Sequence, residues 1–502
     1  MSALDDITAS LAKFRTAKRV SGANASYKKD NPAEYGKVIV YLDGGARPSG
    51  VTTDMGMALL LEEDARRALG ASPPPPTGSY YVANGGNDGN SGTLSAPLAT
   101  VQAGLNKLFP GDTLVLRGGT YSPLVTLTLP RDGTAASPIN IQAYPGETAV
   151  IDGAGVRTTV LHVNRSWVNV RALTVQNTAY TSPATEDGLL ITGTDIVLEQ
   201  LTVKNASEGI DIAASAYRVT VRGCDVSGGK TGVNILGHSV LVENCTIHDN
   251  NKMANNGADT GGEHGGQAIS VNETSGPVEV RNNDAWNNNA ASISYGRDGV
   301  FVELYRSQNV NVHHNRSRNN VVTFEAAGDT SGIKLWRNEV RDEHFFVAHQ
   351  ANNMLIANNS VWRPSTVNDG TLIWIGPGNF WGTGSTAGLM FRNNILCSGV
   401  GIMQLAREWD ASATVDNNSY YSITGGWFGS FGATNLDTYA QYLAATAKEN
   451  ASVFGNPLMV DPGNGNLQLQ AGSPLINKGA SVAGVTEGYL GAAPDIGAVE
   501  LA

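Results

Sequence analysis

The side chains best suited to chemistry occupy two polar segments of this 502-residue chain and one column of strand positions. Residues 250–266 and 287–298 place ionisable side chains among glycines and asparagines, which is typical of surface loops. The column collects the residues that alternation places on the outer face of successive short strands. Its predicted members are Leu190, Asp211, Asn234, Ser270, Glu303, Thr323, Phe346 and Trp374. Such a face suits a sugar chain, although an ordinary solvated sheet face would show the same residue types.

Three kinds of chemistry are open to these residues. A lyase needs a cation beside a uronate carboxylate and a base for the neighbouring proton, and the residues that could serve are Lys252, His264, Tyr295 and Arg297. A hydrolase needs two carboxylates at a set separation, and the candidates are Asp211, Asp259, Asp298 and Glu303. A calcium site needs several clustered oxygen atoms, and the candidates are Asp259, Glu263 and Asp298.

From these sets we predict Glu303 or Asp298 as the acidic catalytic group and His264 or Arg297 as its partner. The predicted substrate-binding residues are Asp211, Asn234, Lys252, Ser270, Tyr295 and Trp374. No metal ligand is assigned, and Ca²⁺ is the cofactor that the sequence leaves open.

The elements that must position these side chains are short strands in a repeating unit. The first apolar residues of successive units are Val168, Ile196, Val219, Val240, Val278, Val310, Ile333, Met354 and Leu389. The shortest spacings are 21, 21, 23 and 23 residues, and a period near 22 indicates a solenoid. Within one unit, residues 210–212, 219–221 and 224–226 each alternate in polarity, so each unit predicts three strands. The predicted fold is therefore all-β, a right-handed parallel β-helix. An antiparallel sandwich would not repeat the same triplets at one period.

One position tests this register, because it opens the third strand of each unit. It holds Cys224, Cys245, Asn283, Asn315, Asn338, Asn359, Asn394 and Asn418. Equivalent residues stack about 4.8 Å apart in a parallel β-helix, so these amides can hydrogen-bond one another. This asparagine ladder resembles the one in β-helices of the pectate-lyase superfamily, where it marks the bend between the second and third sheets.

The resemblance extends to the ends of the solenoid and implies where a site would lie. A predicted capping helix at residues 100–108 and a closing segment at 451–502 are similar to those of bacterial β-helix proteins. The resemblance implies a substrate cleft on the first sheet, bordered by the two polar segments. However, the close cluster of aspartates that binds calcium in calcium-dependent pectate lyases is absent from the sequence. Residues 263–266 resemble the Gly-His-Gly motif of polygalacturonases without the paired aspartates that precede it.

Composition limits the partners and the compartment. A net charge of −11 argues against broad binding to nucleic acids or acidic membranes. Three cysteines give no disulfide framework, and Cys224 and Cys245 are predicted to be buried free thiols. No apolar run is long enough to span a membrane, and the first residues lack the apolar core of a signal peptide.

The predicted organisation is a helical head at residues 1–72, a proline-rich linker at 73–79, the β-helix at 80–450 and its closing segment at 451–502. A head tethered to a glycan-binding β-helix without an export signal resembles a phage tail spike or minor tail protein. The favoured interpretation is a homotrimeric virion tail component whose head binds other tail proteins and whose β-helix binds, or cleaves, a host surface glycan. The alternative is an extracellular polysaccharide lyase or glycoside hydrolase acting on an acidic polysaccharide.

A second column, on the third sheet, consists of His248, Trp286, Arg318, Arg341 and Trp362. Arginine and tryptophan at stacked spacing could bind an anionic glycan or form an interface between subunits, and the interface is the preferred interpretation.

Overall fold

The computed structural model describes residues 78–180, 186–254, 263–364, 370–376, 387–405, 411–425, 428–432, 434–446 and 448–501. These residues form the right-handed parallel β-helix that the sequence predicts, with three sheets of 13 strands each. Successive strands of each sheet lie one coil apart and pair in parallel, apart from one antiparallel pair that ends the first sheet. The predicted head at residues 1–72 and most of the linker lie outside the described residues.

The first sheet consists of Leu127–Thr128, Thr159–Val163, Asp187–Ile191, Glu208–Ile212, Thr231–Ile235, Gln267–Asn272, Val300–Tyr305, Val322–Ser331, His344–Asn352, Ile373–Ile375, Met403–Leu405, Gly429–Phe431 and Thr434–Leu436. The second sheet consists of Ser79–Val82, Thr113–Leu116, Ile139–Ala143, Val168–Arg171, Thr194–Glu199, Tyr217–Arg222, His238–Glu243, Val278–Arg281, Val310–His313, Lys334–Trp336, Leu355–Ala357, Met390–Arg392 and Thr414–Asp416. The third sheet consists of Gly119–Tyr121, Ala149–Asp152, Thr174–Gln176, Thr202–Lys204, Asp225–Ser227, Thr246–His248, Asp284–Trp286, Arg316–Arg318, Glu339–Arg341, Ser360–Arg363, Ile395–Ser398, Ser419–Ser422 and Val453–Phe454.

The smaller elements cap the solenoid or stand out from it. The α-helices are Val101–Lys107 and Tyr439–Thr446, and a 3₁₀ turn spans Pro462–Asn464. Short antiparallel pairs join Met253–Ala254 to His264–Gly265, Ala290–Ser292 to Gly296–Asp298, and Met459–Asp461 to Asn466–Leu469. No helix in the described part of the chain combines the length and apolar character that crossing a bilayer requires.

The asparagine ladder forms as predicted at the bend between the second and third sheets. From Asn283 to Asn418, each side-chain amide donates to the side-chain oxygen of the next member at 2.9–3.1 Å. Each amide also donates to a backbone carbonyl, as Asn338 does to Val312 at 3.0 Å. The ladder begins on Cys224 and Cys245, which are buried free thiols as predicted. The side-chain amides of this buried column are therefore hydrogen-bonded to groups in the adjacent coils.

A second ladder, which the sequence analysis missed, lies at the bend between the third and first sheets. Asn250, Asn288, Asn320 and Asp342 are all at most 2% exposed. The Asn250 amide donates to Asn288 at 2.8 Å, Asn288 to Asn320 at 3.0 Å, and Asn320 to the Asp342 carboxylate at 3.2 Å. Burial raises the pKa of Asp342 to about 6. Both polar segments leave the helix directly beside this ladder.

The third-sheet column is a continuous stack only at one end. The His248 and Trp286 rings stack at 4.6 Å between centroids, and the Arg318 guanidinium lies 4.3 Å from the Trp286 centroid. Further along, Arg341 donates to the Gly463 carbonyl, and Trp362 packs against the apolar cluster of the closing segment. The closing segment of the chain itself therefore covers the end that was predicted to be an intersubunit or glycan surface.

The ladder predicts the effect of one substitution. Asn338→Leu removes the oxygen that accepts from the backbone amide and the side-chain amide of Asn315, so it should lower the free energy of unfolding by roughly 1–3 kcal/mol. Equilibrium denaturation of the two proteins measures the difference. Asn311→Leu, on the outer face of the second sheet, is the matched control and should change stability by less than about 0.5 kcal/mol. Equal stability of the Asn338→Leu protein would reject the ladder.

Candidate active site

A cleft with a volume of about 850 Å³ runs along the outer face of the first sheet. Its floor is the column of outward residues, whose register is Asp211, Asn234, Ser270, Glu303, Glu325, Val347, Trp374 and Gln404. Six coil steps separate Asp211 from Trp374, which at about 4.8 Å per step gives a floor roughly 29 Å long. A floor of this length accommodates several sugar residues of a chain that runs parallel to the helix axis.

Two members of the predicted column are wrong. Thr323 and Phe346 point inward and are at most 1% exposed, whereas Glu325 and Val347 occupy the outward positions. At Thr323 the strand does not alternate, because Val322, Thr323 and Phe324 are all buried, so the alternation of polarity could not identify Glu325 as the outward residue. At Phe346 the unbroken apolar run of residues 345–348 conceals which side chain faces outward.

Three carboxylates from two adjacent coils meet at the first end of the cleft. One oxygen atom each of Asp187, Glu208 and Asp211 lies within 4.8 Å of the others. Burial and the neighbouring carboxylates raise the pKa of Asp187 to about 7 and that of Asp211 to about 6. Asp187 is 6% exposed, and its Oδ1 atom has no hydrogen-bond partner among the described residues. A buried oxygen without a donor, beside two further carboxylates, fits a hard divalent cation such as Ca²⁺.

This acidic group was not visible in the sequence as a cluster, because its members are separated along the chain. Residues 187 and 208 lie 21 positions apart and become neighbours only through coil stacking. Of the earlier calcium candidates, Asp259 lies outside the described residues. Glu263 and Asp298 lie elsewhere along the cleft.

A buried lysine adjoins the acidic group. The Lys230 ammonium, 1% exposed, lies 2.8 Å from Glu208 Oε1 and 3.1 Å from His264 Nε2. A hydrogen bond between two nitrogen atoms needs one of them to accept, so the Lys230–His264 pair holds at least one unprotonated nitrogen. The pair thus places a base beside the acidic group.

Amide and hydroxyl side chains connect the acidic group with the middle of the cleft. The Asn234 amide donates to Asp211 at 2.9 Å and to Glu208 at 3.2 Å, and it accepts from the Asn272 amide at 3.1 Å. The Asn272 amide also donates to Ser270 Oγ at 2.9 Å, and Ser270 Oγ donates to Glu303 at 3.3 Å. These contacts fix the orientation of the groups on the cleft floor.

Glu303 and Glu325 are partners on adjacent strands and face the middle of the cleft. Burial raises the pKa of Glu303 to about 7, although hydrogen bonds from Ser270 and Gln267 favour the ionised form. Burial and the Glu303 charge raise the pKa of Glu325 to about 8. Burial also raises the pKa of Asp298, to about 6. Near neutral pH this group of carboxyls retains protons and can act as an acid.

The hairpin Ala290–Ser292 and Gly296–Asp298 overhangs this part of the cleft and is held by Glu263. The Glu263 carboxylate accepts from Ser292 Oγ at 2.7 Å, from the Ser294 amide at 3.1 Å and from the Ile293 amide at 3.2 Å. The hydrogen bond from Ser292, with those from the other two residues, lowers the pKa of Glu263 to about 2. Glu263 therefore stays ionised and ties its segment, which carries His264, to the hairpin.

The structure brings most of the predicted site residues together. The cleft is lined by Asn234, His264, Ser270, Tyr295, Arg297, Asp298, Glu303 and Trp374, with Asp211 joined through Asn234. Lys252 does not line the cleft, and its ammonium lies 5.0 Å from the centroid of the Tyr180 ring. Arg297 lines the same cleft as Glu303 and Asp298 and forms an ion pair with Glu343. Its catalytic partnership with Glu303 or Asp298 stays a prediction.

Sequence reasoning missed Lys230, Glu208 and Glu325. Glu208 is the first residue of its strand, and Lys230 lies immediately before the next strand of the first sheet. Alternation within a strand does not single out either position. The repeat could have indicated that Glu208 and Lys230 lie close together. Residues 208 and 231 occupy the same position in successive coils, and residue 230 immediately precedes residue 231.

The fold and cleft define a pectate-lyase-like right-handed β-helix protein. Residues 80–362 match the family described as Pel9A-like, right handed beta helix region, and the chain belongs to that family.

The chain is also similar to two proteins named pectate lyases and to one solved structure. Pectate lyase PEL9 of Emericella nidulans is 35% identical over 97 residues, which cover 19% of this chain and 24% of that protein. Pectate lyase L of Paenibacillus polymyxa is 25% identical over 437 residues, covering 83% of this chain and 86% of that protein. The crystal structure of pectate lyase Pel9A has a TM-score of 0.46 and 17% identity, covering 84% of this chain and 96% of that one. None of these names refers to a virion protein, so the tail-component interpretation gains no support from them.

The carboxyl pair predicts a dependence of stability on pH. Because the pKa values of Glu303 and Glu325 rise from 4.5 to about 7 and about 8 on folding, the folded state holds protons that the unfolded chain has released. The free energy of unfolding should therefore fall as pH rises from about 5 to about 8.5. The Glu303→Gln, Glu325→Gln double variant should lose less stability over this range, by an amount on the order of 2 kcal/mol.

Urea denaturation at about pH 5 and at about pH 8.5 measures this difference in the free energy of unfolding. Glu273→Gln, an exposed carboxylate on the surface, is the control and should follow the wild type. A double variant whose stability falls with pH as steeply as the wild type would show that neither carboxyl is protonated in the folded protein.

The Glu263 contacts predict local protection from solvent exchange. In Glu263→Ala the Ile293 and Ser294 amides lose their acceptor, so they should exchange with deuterium at least about tenfold faster, which corresponds to about 1.4 kcal/mol. Amide exchange followed by mass spectrometry of peptides over residues 290–298 reports this change. Glu273→Ala is the control, and unchanged exchange in Glu263→Ala would mean that the hairpin is held by other contacts.

Proposed function

We propose that this protein is a polysaccharide lyase that cleaves a uronate-containing glycan in the first-sheet cleft with the help of a divalent cation. The observation that carries the proposal is the juxtaposition of the acidic group Asp187, Glu208 and Asp211 with the Lys230–His264 pair. The membership of the Pel9A-like family and the two relatives named pectate lyases support the same class of reaction.

Elimination across a uronate needs two things at one end of the cleft. A base must take the proton from the carbon beside the carboxylate, and the carboxylate must be neutralised so that this carbon becomes acidic enough. The unprotonated nitrogen of the Lys230–His264 pair is placed to receive the proton, and the electron pair then expels the glycosidic oxygen on the next carbon.

Asp187, Glu208 and Asp211 are the residues that would hold the cation. When bound, a divalent ion would supply the positive charge that the uronate carboxylate needs. The Lys230 ammonium contributes positive charge beside the same group through its contact with Glu208. Asn234 orients two of the three carboxylates by donating to both.

Hydrolysis is a second candidate, and the Glu303–Glu325 pair favours it. Their pKa values of about 7 and about 8 suit a general acid at neutral pH, as a glycoside hydrolase requires. Asp298 and Glu303 retain their predicted catalytic roles under this alternative. The products distinguish the two reactions, because elimination leaves an unsaturated uronate that absorbs in the ultraviolet, whereas hydrolysis leaves only saturated ends.

An acidic polysaccharide outside the cell is the partner that this proposal requires. Attachment to a virion, a homotrimer and a role for residues 1–72 stay predictions from the sequence.

The decisive assay follows ultraviolet absorbance and reducing ends together when the full chain is mixed with galacturonan and CaCl₂. We expect absorbance that depends on Ca²⁺ and is abolished by a chelator. His264→Gln should reduce turnover by roughly a hundredfold or more if the Lys230–His264 pair transfers the proton. Asp211→Asn keeps the hydrogen bond from Asn234 and removes a charge, so it should raise the Ca²⁺ concentration needed for half-maximal rate.

Asp225→Asn is the matched control, because Asp225 lies in the same coil as Asp211 on the third sheet and is largely exposed. It should leave the calcium dependence unchanged. Reducing ends without absorbance would establish hydrolysis instead. The absence of both products on acidic polysaccharides generally would reject an enzymatic role.

A further inference from the structure

The charge of the cleft changes along its length, and this change carries information about the glycan. The first end holds the acidic group Asp187, Glu208 and Asp211, which a divalent cation would convert into a site for an anion. Three coil steps further on, the floor holds Glu303 and then Glu325. These two carboxyl groups lie too far from the first end to share its cation.

In the part of the chain that the structure describes, no lysine or arginine forms an ion pair with Glu303 or Glu325 in the middle of the cleft. Among the described residues, Glu303 accepts hydrogen bonds only from the uncharged Gln267 and Ser270, and Glu325 forms no ion pair. One lysine and one arginine of the described residues line the cleft, and both are already paired with other carboxylates. Lys230 pairs with Glu208, and Arg297 pairs with Glu343. Above about pH 8, where both carboxyls are ionised, a sugar carboxylate placed over Glu303 and Glu325 would therefore meet two negative charges without a compensating cation.

The far end of the cleft carries no charge on its floor. Beyond Glu325 the column continues through Val347, Trp374 and Gln404. The Trp374 ring, held edge-on by His349 at 4.5 Å between centroids, offers an apolar surface, and Tyr295 on the overhanging hairpin is 63% exposed. Aromatic surfaces of this kind pack against the apolar faces of sugar rings, while carboxyl and amide groups hydrogen-bond with hydroxyls.

We propose that the glycan bound along this cleft is a heteropolymer, with a uronate over Asp187, Glu208 and Asp211 and sugar residues without a free carboxylate over Glu303, Glu325 and Trp374. This inference rests on the proposed function for the uronate at the first end. It adds that Glu303 and Glu325 are specificity-determining residues, which exclude a polymer charged on every sugar.

Galacturonans that differ only in methyl esterification test the inference, because esterification removes charge and leaves the sugar and the linkage unchanged. The probes are polymers of one length that are unesterified, about half esterified and fully esterified. The full chain is run at about pH 9, where Glu303 and Glu325 are ionised, in affinity gels that contain each polymer and CaCl₂. The His264→Gln variant is used so that the polymers stay intact. The dissociation constant comes from the retardation at each polymer concentration.

We expect the half-esterified polymer to bind at least about tenfold more tightly than either of the others. The unesterified polymer lacks uncharged sugars for the middle of the cleft, and the fully esterified polymer lacks a uronate for its first end. At about pH 9 both carboxyls are ionised. Glu325→Gln then removes one of the repelling charges, so it should narrow the difference between the unesterified and half-esterified polymers. Glu339→Gln, a carboxylate on the third sheet, is the control and should preserve the wild-type ratio.

Equal or tighter binding of the unesterified polymer would overturn the inference, and so would a failure to bind any of the three. The order of the three dissociation constants is measured without cleavage. The heteropolymer proposal and the lyase proposal can therefore be rejected independently of each other. A protein that binds in the expected order but never forms an unsaturated product would reject the lyase and still support the heteropolymer.

Discussion

The hydrogen bonds of the buried asparagine ladder are the constraint on which the rest of this structure depends. Each amide between Asn283 and Asn418 is satisfied only if the next coil places its own asparagine about 4.8 Å away. A coil displaced by one residue would bury an amide without a partner, which costs about 1–3 kcal/mol. The ladder ends on Glu449, which is 2% exposed and accepts from Asn418 at 3.1 Å and from Tyr442 at 3.1 Å. The ladder thereby fixes the register of the coils that carry the floor of the cleft from Ser270 to Gln404.

A fixed register forces side chains together that would separate in a more adaptable fold. Glu303 and Glu325 must stack because their strands pair, and Asp211 must lie beside Glu208 and Asp187 for the same reason. Burial and then repulsion between the carboxylates raise the pKa of Asp187 and of Glu325, because the fixed strands prevent these groups from moving apart. The scaffold thus supplies both the proton-holding groups in the middle of the cleft and the group at its first end that suits a cation.

Features that repeat from coil to coil could be predicted from the sequence, whereas the positions of single side chains at bends and in inserted segments could not. The period near 22, the ladder and the positions of Asp211, Asn234, Ser270 and Glu303 were predicted correctly, because each follows from the alternation within triplets. The position of Glu325 was missed because its strand begins with three buried residues, 322–324, and so does not alternate there. Lys230 and Glu208 were missed because a side chain at a bend obeys no alternation, and their proximity to His264 depends on how an inserted segment folds back.

The second ladder explains how insertions can build a site without disturbing the helix. Asn250 immediately precedes the segment that returns at His264, and Asn288 precedes the hairpin of Tyr295 and Arg297. Because these two amides hydrogen-bond each other at 2.8 Å, the bases of both insertions are fixed relative to the floor of the cleft. Lengthening a surface loop costs little free energy once its ends are held. Glu263 then joins the two insertions above the cleft, so that residues far apart in the chain are positioned against one sheet by hydrogen bonds at both their bases and their tips.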